Sequence, residues 1–376
     1  MPASLIRGRG LFPLLLILAA LAYWWLHPSP PKVIAIGYIP DRSVWLWNTP
    51  AQVRQQVAEL HYGDRVEILR QEGATAQVRS PAGVLGWLLD SRQIMDSVLW
   101  QQTADLLARA RTLPVQARGL TKTVSNVRIE PGRNARRVFQ FTRGTPVAVL
   151  ERTVAEAPQA GEEPAPENSN PPDQDRKPKQ EDWLLVLRTD RPEAQTGTSS
   201  AEPQPASPGD SGASGPVSGG AGTAQNSAEG GAAPPIAGWV LARFIELDLP
   251  GPVRDYASSA GMHIVASFEL NRVPDGSGGQ AAQYLVAGAR GGEGQACDFT
   301  MLRVYTWGVA RKRYETAYVE NKLCGRLPVR VSSSAAGPEF RFMESGENGV
   351  ERVYAMRQTV VRRLKQGRSG AGQPTH

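Results

Sequence analysis

Short runs of alternating apolar and polar residues recur along the chain from about residue 37. This period of two is typical of half-buried β-strands. Turn-forming residues such as Asn48-Thr49-Pro50 and Tyr62-Gly63-Asp64 separate the runs. The strands predicted before residue 250 are 43–47, 65–70, 76–79 and 85–89, followed by 126–129, 146–150, 183–188 and 238–241.

The alternation resumes after residue 252 and continues almost to the end of the chain. Because no long helix interrupts it, we predict an antiparallel meander that forms either a sheet or part of a barrel. The fold class expected for the whole chain is therefore mainly β. The predicted strands of this region are 263–270, 283–289, 299–307, 314–320, 327–331, 339–343, 350–356 and 359–364.

One stretch has helical spacing instead. Apolar residues recur every three or four positions along 96–114, where Asp96 or Ser97 is placed to cap a helix and Pro114 to stop it. We expect the apolar stripe of this connecting helix to pack on a neighbouring β unit rather than on a partner.

The first two groups of strands repeat each other at an offset of 81 residues. Matching residues include Leu46 with Val127, Val57 with Val138, Gly63 with Gly144, Val66 with Val147 and Leu69 with Leu150. A Gly-Trp pair closes each copy, Gly86-Trp87 and Gly238-Trp239. The second copy is longer by 71 residues, because Gly63 and Gly86 are 23 residues apart whereas Gly144 and Gly238 are 94 apart.

The additional residues fall into two stretches, 155–180 and 191–235. The first is rich in Pro, Glu and Lys, and the second consists largely of Gly, Ala, Ser and Pro. Neither can bury enough apolar surface to offset the entropy of ordering, so both are predicted to be disordered insertions. The tail 367–376 is predicted to be disordered as well.

Residues 1–31 predict the location of the protein. Arg7 and Arg9 precede the uncharged run 11–26, and basic residues before such a run hold the N-terminus in the cytoplasm while the following chain is exported. We predict a signal anchor that crosses the inner membrane once through 11–26 and leaves the body in the periplasm. A signal peptide cleaved at Ala20-Leu21-Ala22, giving a secreted form, is the alternative.

Charge and cysteine content narrow the range of partners. The formal charge is +6 and the pI about 9.4, but the arginines are scattered except for a late cluster in 362–368. This spread disfavours nucleic-acid binding, which needs basic residues focused on one face. Cys297 and Cys324 are the only cysteines. In an oxidising compartment they could form a disulfide, and two separate buried thiols are the alternative.

The repeated residues resemble the bacterial SH3 family (SH3b). Its pattern is matched in the second copy by Asn126-Val127-Arg128, Pro131, Gly144, Val147, Trp183 and Gly238-Trp239. The first copy departs from the pattern, with Trp45-Leu46-Trp47 where the family has Asn-Leu/Val-Arg. The layout is also similar to exported SH3-domain proteins in which two SH3b units precede a β-rich C-terminal domain.

This resemblance implies two small SH3-like β-barrels that bind peptides or cell-wall glycopeptide. The predicted domains are the signal anchor 1–31, a first module 37–95, the connecting helix 96–114, a second module 121–250, a β-rich domain 252–366 and the tail 367–376.

Tryptophans near strand ends offer wide apolar contact area at low entropic cost, and an arginine can bind a carboxylate. The candidate binding residues are therefore Trp45, Trp47, Trp183, Trp239 and Arg128. Trp45 and Trp47 alternate along one strand, so both are expected to be exposed or both buried. For Trp87 and Trp239, a core position that closes the barrel is the favoured alternative.

No arrangement of residues predicts catalysis, a metal site or a cofactor. The four histidines lie in different regions of the sequence, and the only histidine after Cys297 is the last residue. We therefore expect a non-catalytic, membrane-anchored envelope protein that binds cell-wall glycopeptide or an envelope protein partner through its SH3b-like modules. The alternatives are an envelope sensor or scaffold whose C-terminal domain recognises a ligand, and an accessory factor of cell-wall hydrolysis.

Overall fold

The computed structural model describes residues 31–158, 179–189, 234–346 and 349–364. The predicted anchor segment 11–26, the tail and most of both predicted insertions lie outside these residues. Strands hold 54% of the described residues and helices 12%, which confirms a mainly β fold with antiparallel sheets. Within the described ranges, no helix has the length and apolar character needed to span a bilayer. The chain divides into two units, Met1–Trp100 and Gln101–His376.

The first unit is built around one seven-stranded antiparallel sheet. Its strands are β1 (Ala35–Tyr38), β2 (Ser43–Trp47), β3 (Gln56–His61), β4 (Arg65–Glu72), β5 (Thr75–Arg79), β6 (Leu85–Leu88) and β7 (Met95–Asp96). They pair in the order β3-β2-β6-β5-β4-β1-β7, and a 3₁₀ turn at Ser91–Gln93 precedes β7. The core of this sheet comprises Ile39, Val44, Leu46, Leu60, Val66, Ala76, Val78 and Leu88.

The sequence alternation did not predict β1, β3 and β7. Strand β3 buries only Leu60, so its sequence does not alternate. Strand β7 has only two residues, too few to show a period. These short strands form because neighbouring strands supply their hydrogen-bond partners.

The second unit begins with most of helix α1 (Ser97–Thr112), which starts where Asp96 Oδ1 accepts a hydrogen bond of 2.8 Å from the amide of Leu99. A second seven-stranded sheet follows. Its strands are β8 (Ala117–Thr121), β9 (Ser125–Arg128), β10 (Arg137–Phe141), β11 (Pro146–Glu156), β12 (Gln180–Arg188), β13 (Ala237–Leu241) and β14 (Ile245–Leu247), with a 3₁₀ turn at Ala242–Phe244 before β14.

These strands pair in the order β10-β9-β13-β12-β11-β8-β14. Raising each strand number of the first sheet by seven gives this order, so the two sheets share one topology. Strands β2 and β6 meet at the pair Trp47–Trp87, and strands β9 and β13 meet at the corresponding pair Arg128–Trp239. The residue repeat therefore corresponds to a structural repeat.

The predicted insertion 155–180 is wrong at both of its ends. Ala155 pairs with Glu181 and Glu156 pairs with Gln180, because β11 and β12 extend as a long hairpin beyond the length of the first copy. The middle of this insertion, 159–178, lies outside the described residues, as do residues 191–233 of the second insertion.

The C-terminal part of the second unit consists of a short helix and two four-stranded antiparallel sheets. The first sheet contains β15 (His263–Pro274), β16 (Gln280–Ala289), β17 (Met301–Gly308) and β18 (Arg313–Glu320), and the second contains β19 (Gly325–Ser334), β20 (Gly337–Glu344), β21 (Val350–Arg357) and β22 (Val360–Arg363). Each sheet is a meander in chain order. Helix α2 (Gly251–Ser259), which the strand pattern did not predict, buries Val253 and Ala257.

The prediction of one continuous meander is therefore corrected to two. Both sheets contribute to a single apolar core, with Leu285 and Leu302 from one sheet and Phe340 and Tyr354 from the other. The chain passes between the sheets around buried Leu323. At this passage Gly325 lies against Phe299, whose ring atoms would be 2.1 Å from an added Cβ, so the close approach requires glycine.

Candidate functional site

The first sheet carries exposed tryptophans on its outer side. Along β2, Val44 and Leu46 point into the core, whereas Trp45 is 42% exposed and Trp47 is half-buried. Successive strand residues point to opposite faces, so both tryptophans share the side away from the core. The sequence left open whether both tryptophans face the core or the outside, and the structure places both on the outer side.

Three neighbours complete this surface. Trp87 pairs across the strands with Trp47 but is only 9% exposed, in agreement with the buried position favoured for it from the sequence. Leu85, two residues earlier, is 47% exposed on the same side. The guanidinium carbon of Arg54 lies 4.8 Å from the Trp47 ring centroid, within the range of a cation–π contact. We call this surface, formed by Trp45, Trp47, Arg54 and Leu85 with the buried Trp87 beside Trp47, the tryptophan face.

The corresponding surface of the second sheet has different chemistry. Asn126 and Arg128 occupy the positions of Trp45 and Trp47, and Gln140 donates a 3.0 Å hydrogen bond to Asn126. Arg128 donates to the carbonyl of Ala135, a residue of the loop that matches the one carrying Arg54. Burial, reinforced by the positive charges of Arg137 and Arg133, lowers the pKa of Arg128. This surface is polar and basic where its counterpart is aromatic.

Trp183 and Trp239, which the sequence suggested as binding residues, are buried. They are 1% and 7% exposed and form a cluster with Leu106 and Ala110 of helix α1. The helix stripe thus packs on the second β unit, as expected. Because Trp183 presents no surface to solvent, it offers no contact to a ligand, and the alternative of a structural role holds for both residues.

A cavity of about 340 Å³ lies beside Trp239. Leu113 and Pro114 at the end of α1, Pro131 of the loop after β9, and Pro328 from the C-terminal part form its walls. Arg109 and Glu151 form an ion pair at the same cavity. The exposed edge of Trp239 therefore faces a narrow cleft rather than an open face.

Arg152 connects the second sheet to the C-terminal part through a buried ion cluster. Its Nε and Nη2 donate to Asp182 over 3.1 and 2.7 Å, and its Nη1 donates to Asp298 over 3.1 Å. The two remaining N–H groups reach the carbonyls of Cys297 and Gln295. All five guanidinium donors are thus used, so this arginine fixes structure and has no donor left for a ligand.

Glu181 lies in a second ion cluster beside this one. Hydrogen bonds from Arg133, the largest contribution, and from Arg243 lower the pKa of Glu181 to about 2. Burial acts in the opposite direction and raises this pKa. Arg243 also bonds Glu293 over 2.9 Å. Arg133 and Arg243 are therefore committed to internal ion pairs.

A larger cleft of about 780 Å³ lies between β8 and the C-terminal strands. Arg118 and Asp248, which lie next to each other on neighbouring strands, form part of its wall, together with Glu269 and the half-buried Tyr284. Burial, the largest contribution, raises the pKa of Tyr284 to about 12, so its hydroxyl stays protonated at neutral pH.

Cys297 and Cys324 form a disulfide. A bonded sulfur is not a thiolate, so Cys297 does not serve as a nucleophile in this state. Across the described ranges, no three His, Cys, Asp or Glu residues are grouped so that they could hold a metal ion.

Comparisons with known proteins identify no relative. No family model matches the chain, and no curated protein or solved structure matches it either.

Proposed function

We propose that this chain is a non-catalytic binding protein of the bacterial cell envelope, with two SH3b-like modules that display a ligand-binding surface outside the cytoplasm. The tryptophan face is the observation that carries this proposal. The exposed Trp45 and the half-buried Trp47, both on the outer side of a small sheet, offer flat apolar contact area, which a core does not require and which is typical of recognition surfaces.

The ligand class follows from this chemistry. Cell-wall glycopeptide combines sugar rings, which have apolar faces, with a peptide that carries carboxylates. Trp45 and Trp47 can stack on the apolar faces of the sugar rings. The exposed guanidinium of Arg54 can bind a peptide carboxylate in a bidentate manner. An envelope protein partner is the alternative occupant of the same face.

A sacculus pull-down tests the proposal with the full chain in mild detergent. The unchanged protein is expected to be retained on purified peptidoglycan, and Trp45→Ala with Trp47→Ala to reduce retention at least about tenfold, the effect of one lost hot-spot residue. The matched control, Trp45→Phe with Trp47→Phe, keeps aromatic surface and should retain most binding. Equal retention of the alanine and wild-type proteins would refute the role of the tryptophan face.

The same experiment addresses the other proposals. Release of soluble wall fragments during incubation would favour an accessory role in hydrolysis over simple binding. Membrane fractionation of cells, with and without residues 11–26, tests the proposed anchor. Protein recovered in the soluble cytoplasm would contradict the proposed location, and processed protein in the periplasm would favour the cleaved form.

The cleft beside β8 favours a second candidate function, that of an envelope sensor whose C-terminal part recognises a small ligand. The cleft has a volume of about 780 Å³, and its wall carries charges of both signs from Arg118, Asp248 and Glu269. If this cleft is the sensor site, the double variant Arg118→Gln, Asp248→Asn should lose the sensor function and keep sacculus binding unchanged. Point changes are preferable to deletion of the C-terminal part, because deletion would leave Arg152 without Asp298.

A further inference from the structure

The second C-terminal sheet, β19–β22, has one side in the core and one side exposed. Phe340, Phe342, Tyr354, Met356 and Val361 belong to the core. The alternate residues therefore point outward, and the strand register brings several arginines among them together. The outward arginines, which we call the arginine face, are Arg326, Arg330, Arg341, Arg357 and Arg362.

These positive charges exceed the negative charges around them. The outward acids of this sheet are Glu339 and Glu351, and the latter is 4.0 Å from Arg341 across exposed side chains. Outside the sheet, Asp298 lies 3.9 Å from Arg326 but is shared with Arg152. For Arg330 and Arg362, no carboxylate among the described residues lies within the 4.0 Å of an ion pair. The face therefore carries an excess positive charge.

The strand register makes this excess costly in the free protein. Arg330 pairs directly with Arg341 across β19 and β20, and like charges placed opposite each other on one face destabilise a sheet. At Glu181 and Asp182, by contrast, arginines are matched with acids. An anionic partner would remove the repulsion that the fold itself leaves in place.

Apolar side chains are interspersed with the arginines. Met343, opposite Arg326, is 45% exposed, and Val360, opposite Arg357, is 53% exposed. Guanidinium groups bind phosphate in a bidentate manner, and exposed apolar side chains beside them favour the boundary between headgroups and acyl chains. This combination fits a phospholipid surface better than it fits a nucleic-acid backbone, which has no apolar layer.

We propose that the arginine face binds the surface of an anionic phospholipid bilayer. The inference uses the proposed membrane anchor, because a tether raises the effective concentration of the body at the bilayer and makes weak binding sufficient. It does not depend on the tryptophan face. Each arginine near an anionic surface contributes roughly fivefold to binding.

The test uses the full chain in nanodiscs of phosphatidylcholine alone or of equal parts phosphatidylcholine and phosphatidylglycerol. Exposed guanidinium groups are labelled with phenylglyoxal and quantified residue by residue by mass spectrometry. Labelling of Arg330, Arg341 and Arg362 should be at least about fivefold slower in the anionic discs and recover in high salt. Arg311, an exposed arginine in the turn between β17 and β18, serves as the control and should not change.

Two results would overturn the inference. One is equal labelling of the three arginines in both kinds of nanodisc. The other is protection by added duplex DNA in neutral discs without protection by phosphatidylglycerol, which would assign the face to nucleic acid. The Trp45→Ala, Trp47→Ala protein should show the same lipid protection as wild type, so failure of glycopeptide binding and failure of this inference remain distinguishable.

Stability of the variants provides a second measurement. Arg341→Gln relieves the repulsion with Arg330, so without lipid it should unfold at the same or a higher temperature than wild type. It should nevertheless lose lipid protection at Arg330 and Arg362. Unchanged lipid protection of Arg330 and Arg362 in this variant would contradict a binding face shared by these arginines.

Discussion

Replacing Arg152 by alanine should destabilise the second unit more than the loss of any surface ion pair. The Arg152 and Asp182 side chains are each 2% exposed and that of Asp298 is 9% exposed. Removal of the guanidinium leaves the Asp182 carboxylate buried without its cation and leaves Asp298 with only the half-exposed Arg326 at 3.9 Å. The carbonyls of Cys297 and Gln295 lose a donor at the same time.

The size of the effect follows from this burial. Breaking a buried ion pair by removing one partner costs about 3–5 kcal/mol, because the remaining charge stays desolvated. For a unit of this size, 1 kcal/mol lowers the unfolding temperature by about 2–4 °C, so the variant should unfold roughly 10 °C lower. Hydrogen bonds to Asp182 from Gly294 and to Asp298 from Leu327 offset part of this cost.

Differential scanning calorimetry of the full chain measures the effect, with the unfolding of the second unit followed as its own transition. Arg109→Ala is the control, because Arg109 is 52% exposed in its pair with Glu151 and should cost less than about 1 kcal/mol. If Arg152→Ala costs no more than Arg109→Ala, the buried cluster does not hold the second sheet to the C-terminal part.

Three further predictions concern stability. The pKa of Glu181 in the folded protein is about 2, below its unfolded value. The stabilisation from its ion pairs is therefore present above about pH 4.5 and is lost as pH falls toward 2. In an acid titration, Glu181→Gln should lose less folding stability over this pH window than wild type. Cys324→Ser removes a disulfide between residues 27 positions apart and should lower the free energy of unfolding in urea by roughly 3.5 kcal/mol. Reduction of the wild-type disulfide should lower it by the same amount. Gly238→Ala places a Cβ 2.4 Å from Val127, whereas the Cβ of Gly86→Ala is 3.0 Å from its nearest neighbour. Gly238→Ala should therefore lower the unfolding temperature more than Gly86→Ala does. The reverse order would contradict the packing described for the two copies.

Much of the strand pattern was predictable, because alternation reports which residues are half-buried. Strand β2 was predicted with its observed bounds, and the C-terminal strands were found with ends displaced by a few residues. Strands such as β3, which bury a single side chain, leave no periodic pattern and were missed. Helix α2 was missed because its nine residues bury only Val253 and Ala257.

The candidate site was predictable only in part. The sequence placed Trp45 and Trp47 on one face but could not choose the face, which depends on where Val44 and Leu46 find a core. It favoured a core position for Trp239, but it gave no sign that helix α1 packs against Trp183, since the packing of one element on another is not encoded in local spacing. The equivalent residues Trp87 and Trp239 are both buried, whereas Trp45 and Trp47 correspond to Asn126 and Arg128 in the second copy.

The sequence by itself determined the duplication, the mainly β character and the helix between the copies, because each depends on the order and period of neighbouring residues. The tertiary structure alone decided which charges meet. Arg152 joins acids 30 and 146 residues away, and the arginine face gathers residues that look scattered in the chain. Such contacts depend on strand register between distant segments, and register is set by the packing of the whole sheet.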